Sequence, residues 1–213
     1  MKGAYMVKSM MDSIGLVDTF GYWGGSDIYS DYKDSKKLLN GGGGLVCKVG
    51  IPKPAFYAFD FMNKLGRSLI VRGSHYIITD NGSGNYRIVC NNLKQLNYQY
   101  GTMREDEVIL QEQDYLFTNL KKHRMHFDLP AGKEGKYLVR IYAVNQKFGS
   151  IQDLWMQMST DAELAAEDLE YLERVSIPRM TTQLISTKNG RIAFDLILEP
   201  NEICYVHMSA QYD

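Results

Sequence analysis

A chain of 213 residues is long enough to bury a sizeable core, as one large domain or one and a half small ones. Its 24 basic and 25 acidic residues leave a net charge of −1, which excludes a global field that would draw in nucleic acid or an anionic membrane. No run of about 18 apolar residues exists for a membrane helix, and Lys8, Ser9 and Asp12 break any apolar signal-peptide core.

The first element is "GAYMVKSMMDSIG" at 3–15, which puts Tyr5, Met6, Ser9, Met10 and Ser13 on one stripe and predicts a helix stopped by Gly15. Leu16 to Trp23 follows as a short strand without alternation, the pattern of a strand buried on both faces. A helix followed by a strand, with no strand before it, is half of a repeating α/β unit. Residues 30–51 form a polar loop containing "NGGGGLV". Its Gly41–Gly44 run is either a linker or a place where backbone passes close to other backbone or a ligand. Then "PKPAFYAFDFMNKLG" predicts a helix seeded by Pro52 and Pro54, with Ala55, Phe56, Phe59, Met62 and Leu65 on its stripe and Gly66 as its stop.

Beyond Gly66 the apolar period becomes two. The predicted strands are 68–73, 75–79, 85–91, 123–129, 136–145, 180–187, 191–198 and 202–209. "DNGSGN" joins two of them, Asn189-Gly190 signals a two-residue hairpin, and "LPAGKEGK" reads as a loop. One helix interrupts the strands, "AELAAEDLEYLERV", opened by a capping box from Thr160 to Glu163. Leu164, Ala165, Leu169 and Leu172 are expected to turn inward, with the acidic face in solvent. About eight short strands with a crossover helix suggest an antiparallel sandwich.

Metal chemistry finds little support. His123 and His126 are three apart, so on a strand their rings point to opposite faces. His75 and His207 have no ligand-type residue at metal spacing, and Cys47, Cys90 and Cys204 are scattered and odd in number. Buried reduced thiols in a cytoplasmic protein are expected, with no metal and no cofactor. "NGSGN" opens no helix, so it is a turn and not a phosphate cradle. No pair of carboxylates fit for sugar hydrolysis is evident in 33–213, and no Ser-His-Asp or Cys-His set is evident.

The stretch "DTFGYWGGSDIYSDY" is different. Tyr22 and Trp23 end the predicted strand, and Ser26, Asp27, Tyr29 and Asp31 follow in the loop. Loops after barrel strands form the active face of such barrels. A flat ring beside carboxylates suits a pyranose, although a core tryptophan with a polar loop behind it has the same local pattern. For a carbohydrate-binding sandwich, Tyr98 and Tyr100 of "NYQY" are the available aromatics.

"GYWGGSDIYSD", the "GGGLV" loop and "GIPKPAFYAFDFMNKLG" together resemble the C-terminal part of glycoside hydrolase family 39, the β-xylosidase family. "GKYLVRIYAVNQKFGSIQDLWMQM" and "FDLILEPNEICYVHM" resemble its accessory β-sandwich. The resemblance implies a mainly β chain: a partial (β/α)8-barrel remnant of two helices and one strand over 1–66, then an antiparallel β-sandwich over 67–213. It also implies that both catalytic glutamates lie upstream of Met1, so that no catalytic residue and no glycosidase activity belong to this chain alone. Trp23, Asp27 and Asp31 would be the remnant of the sugar pocket, functional only with the full barrel. Departures from the family pattern are Ser30 and Asp31 after Tyr29, where a further acidic residue is usual, and Asn40 in place of a histidine.

The expected partners are the missing barrel segment and, in the parent protein, a xylose-type saccharide. Neither nucleic acid nor a membrane is expected to bind this chain. An orphan barrel strand at 16–23 would either add to the sandwich or pair with a second copy, giving a homo-oligomer. Some relatives carry this module behind an AraC-like DNA-binding segment, which implies a sugar sensor as the alternative to an enzyme.

Overall fold

The computed structural model describes residues 2–28, 38–39, 42–82, 84–97, 115–158 and 164–211. Helices α1 (Lys2–Ser13) and α2 (Pro54–Asn63) come first. Strands β1 (Ser68–Arg72), β2 (Tyr76–Asp80), β3 (Tyr86–Asn91), β4 (His123–Pro130) and β5 (Lys136–Val144) follow. Helices α3 (Gln152–Gln157) and α4 (Ala166–Val175) precede β6 (Arg179–Ser186), β7 (Arg191–Leu198) and β8 (Ile203–Gln211).

Six strands form one antiparallel sheet in the order β1-β2-β3-β8-β5-β6, and β4 pairs with β7 in a second. The alternation of β4 explains the packing. Met125, Phe127 and Leu129 point into the space between the sheets, while Arg124, His126 and Asp128 point to solvent. There they meet Phe194, Leu196 and Leu198 of β7 and, from the larger sheet, Ile88, Tyr137, Val139, Val206 and Met208. Phe127 and Phe194 stack with centroids 5.1 Å apart. Each such side chain removed from water contributes about 1.5–3 kcal/mol.

The opposite face of the larger sheet carries α1 and α2. Ala4, Val7 and Met11 of α1 and Ala55, Ala58 and Phe61 of α2 pack on Ile77, Val89, Ile203 and Tyr205. Strand β8 is therefore covered on both faces, and its "ICYV" run is buried throughout. Leu38, Cys47, Ile51, Trp155 and Leu172 form a third cluster that ties α3 and α4 to the loop before α2.

Every predicted strand beyond Gly66 is present within one or two residues, and Asn189 and Gly190 take the positive φ of a two-residue turn. That turn does not head a hairpin ladder, because β6 pairs with β5 and β7 with β4. It is a corner between the two sheets. The helical segment is not a crossover, since β5 and β6 are neighbours in one sheet. It is an excursion between paired strands, and α3 is an additional helix within it. Among its expected inward residues Leu172 is buried but Ala165 is exposed, because Ala165 is the N-cap of α4 and its N–H donates to Asp168. The Thr160–Glu163 box and "NYQY" at 97–100 lie, apart from Asn97, outside the described residues.

The one expected strand of the barrel remnant is absent. Residues 16–23 run irregularly, with an isolated bridge between Ile14 and Val17 and the Leu16 and Val17 N–H groups donating to the Ser13 carbonyl, and Leu16, Val17 and Trp23 are exposed. Among the described residues no strand pairs with them to hold the extended form. They do not add to the sandwich. The buried stripes also sit rotated from those expected: Tyr5 and Phe56 are exposed, while Val7, Met11, Tyr57 and Phe61 face the sheet.

Candidate functional site

The loop after Trp23 is fixed by one buried carboxylate. Asp27 is 1% exposed, and its Oδ1 and Oδ2 accept from Lys53 Nζ at 2.9 and 2.8 Å. The Gly44 N–H donates to Oδ1 at 2.8 Å, and Lys53 Nζ also donates to the Gly42 carbonyl at 2.8 Å. A Cβ on Gly44 would stand 2.5 Å from the backbone nitrogen of Asp27, so at Gly44 the backbone passes close to other backbone. The N–H of Asp27 donates to Val46 at 3.1 Å and that of Lys53 to Leu45 at 2.9 Å, which joins three chain segments around the clamp.

Above this clamp Tyr22 donates its hydroxyl to the Gly43 carbonyl, and its ring meets Phe59 edge-on at 5.6 Å. Trp23 is 98% exposed, its indole presenting an open face to solvent. Of the expected sugar-pocket residues, then, Trp23 is accessible and Asp27 is enclosed by Lys53 and Gly44, while Asp31 lies outside the described residues. Chemically the arrangement offers an exposed aromatic face beside a buried ion pair that ties Asp27 to Gly44 and Lys53.

Two groupings were not evident from spacing in the sequence. A cleft of about 940 Å³ opens between β6 and β7, lined in part by Arg179, Thr181, Gln183, Glu199 and Glu202. Burial holds the Glu202 carboxyl above its ordinary range, but its oxygen accepts from Asn145 at 3.1 Å and the Glu199 N–H at 3.0 Å, as a brace for the turn into β8. The other grouping is His75 and His123, whose ring centroids lie 4.3 Å apart although 48 positions separate them (123 − 75). The Nδ1–H of His75 donates to the Asn91 carbonyl at 3.2 Å. Among the described residues no three His, Cys, Asp or Glu side chains gather as a metal site.

Burial, then His75 and Lys94, push His123 below its ordinary pKa of 6.5, and burial, then Arg87 and Arg140, do the same to His207. The unfolded chain therefore takes up protons first, so stability is full above about pH 6.5 and falls as the pH drops through the lower folded values. Denaturant midpoints are expected to fall between about pH 7 and about pH 5.5. His123→Gln should flatten part of that slope; an unchanged slope would remove His123 from the account.

Among the described residues no helix is long and apolar enough to cross a membrane. The chain is 27% identical over 213 residues to a β-xylosidase of Geobacillus stearothermophilus, covering all of this chain and 38% of that protein. It is 21% identical over 191 residues to an uncharacterized HTH-type transcriptional regulator of Staphylococcus aureus, covering 84% of this chain and 22% of the regulator. A monomeric β-xylosidase from Caulobacter crescentus CB15 shares the fold at a TM-score of 0.81 and 20% identity, over 99% of this chain and 41% of that one. The chain thus spans well under half of the relatives it matches, as a C-terminal part of the β-xylosidases. The family model for glycosyl hydrolases family 39 matches residues 1–193, taking in the loop of Trp23, the Asp27–Lys53 clamp, strands β1 to β6 and the first residues of β7, so the chain belongs to that family.

Proposed function

We propose that residues 1–66 are the end of a (β/α)8 glycosidase barrel and 67–213 its accessory sandwich, serving a parent protein of the β-xylosidase class. The observation that carries this reading is the family match combined with the short span, 38% of a β-xylosidase. In this reading Trp23 is the platform for a sugar ring, Asp27 positions its loop from beneath, and Asp31 contributes a polar contact. The catalytic carboxylates come from the remainder of the barrel, and the 213 residues alone are structural. Retaining hydrolysis needs a nucleophile and an acid/base about 5–5.5 Å apart, and neither role is assigned to a residue here.

The test is to express the 213-residue chain, and the same chain joined to its upstream coding segment, and to assay both on a chromogenic β-xyloside. Hydrolysis is expected only from the longer protein, and Trp23→Ala in it should raise KM. Turnover by the short chain, abolished by changing one of its own carboxylates, would overturn the reading. The similarity to HTH-type regulators supports a second reading, a sugar-sensing module of an AraC-like regulator. An upstream basic helix-turn-helix, with saccharide binding but no hydrolysis by the longer protein, would favour it.

A further inference from the structure

The face of the larger sheet that carries α1 and α2 is only partly covered by them. Across the uncovered part runs a straight row of residues set by strand register: Thr79 opposite Arg87, Arg87 opposite His207, His207 opposite Arg140, and Arg140 opposite Thr182. Directly opposed residues in antiparallel strands stand about 4.5–5.5 Å apart, so three basic side chains share one small patch. Like charges placed this way destabilise a sheet unless something neutralises them.

Nothing among the described residues does so. Arg87 donates to the Lys64 carbonyl and to the Tyr205 hydroxyl, both at 3.0 Å, and both acceptors are neutral. Arg140 and His207 make no hydrogen bond or ion pair among the described residues, and all three basic side chains are half-buried. The charged groups facing His207 are Arg87 of β3 and Arg140 of β5; the carboxylate of Asp60 in α2 is held by Lys64 at 2.6 Å. Tyr142 and Tyr205 stack at 5.8 Å along one side of the row, and Tyr205 stacks on His207 at 6.4 Å, which fixes the imidazole beside the guanidinium groups.

We propose that Arg87, His207 and Arg140 form a binding site for a small oxyanion of the phosphate or carboxylate class, separate from the loop of Trp23 and independent of any glycosidase reading. Arg87 and Arg140 supply the forked N–H donors that match two anion oxygens, and His207, protonated as the anion arrives, supplies a third. Because His207 is held neutral without a ligand, binding carries one proton with it and strengthens as the pH falls.

The experiment is an NMR titration of the ¹⁵N-labelled full chain with inorganic phosphate and with acetate, against sodium chloride at matched ionic strength. Saturable shifts confined to the amides of β3, β5 and β8 are expected, with a dissociation constant on the order of 1 mM. Arg140→Gln should weaken the binding about tenfold. His207→Gln should retain it but lose the strengthening below about pH 6.5. Phosphate binding well ahead of acetate would identify a phosphate-type ligand, and equal binding a carboxylate. Shifts no different from those of chloride, or saturable shifts unaffected by Arg140→Gln, would overturn the proposal.

Discussion

Replacing Lys53 by methionine is expected to lower the unfolding free energy by about 3–5 kcal/mol. The reason is the imbalance between the partners. The Lys53 side chain keeps 15% of its surface in water, whereas that of Asp27 keeps none. Removing the ammonium strands a carboxylate that retains, among the described residues, only the Gly44 N–H at 2.8 Å. Asp27→Asn should be milder, at about 1–3 kcal/mol, because Lys53 can still reach solvent and the Gly42 carbonyl. The double variant should lose less than the sum of the singles, since neither charge is then left alone. Urea denaturation of the four proteins measures all of this. A loss under about 1 kcal/mol for Lys53→Met would show that water or a proton replaces the lysine without difficulty.

Phe61→Ala should cost about 3–5 kcal/mol, and the loss should be felt by the whole molecule. Phe61 is 1% exposed, stacks on Tyr205 at 5.8 Å and approaches Tyr57 at 6.3 Å, so one ring links α2 to the central strand of the sheet. The helical signal in circular dichroism and the emission of buried Trp155 are expected to shift to lower denaturant together. If the helices were lost first while the sheet kept its midpoint, residues 2–66 would be a separable unit and the shared core a weak contact. The expectation of a single transition follows from the mixed cluster in which Val7, Met11 and Phe61 meet Ile77, Val89 and Ile203.

Strand existence was most legible where burial has a period of two, in β4, β5 and β7, as in "HRMHFDLP", where Met125, Phe127 and Leu129 alternate with outward-facing residues. Strand partnership was not, because alternation says which residues face inward but not which sheet receives them. Asn189-Gly190 shows the limit: the local turn is as expected, yet Arg191 onward pairs with β4. The strand expected at 16–23 failed for a related reason, since a strand is a relation to a neighbour and none is present among the described residues. At the candidate site Trp23 and Asp27 were legible as an aromatic and an acid in a loop. Lys53 was not, because 26 positions separate it from Asp27 (53 − 27) and no local pattern marks a lysine as a buried partner. His75 with His123, and Arg87 with His207 and Arg140, likewise exist only once the registers are set.

The position of β8 bears on how the chain is made. It lies between β3 and β5, each of which is bonded to it along its length, and it is the last strand of the described residues. As the polypeptide leaves the ribosome, β1 to β3 and β5 to β6 can form only as two half-sheets, each with an unsatisfied edge where the missing strand belongs. The joining step closes a loop of more than a hundred residues between Cys90 and Cys204, which makes it slow and late. Translation halted before Ile203 would therefore yield not a slightly smaller protein but an open, adhesive one, suited to capture by chaperones and removal by proteases.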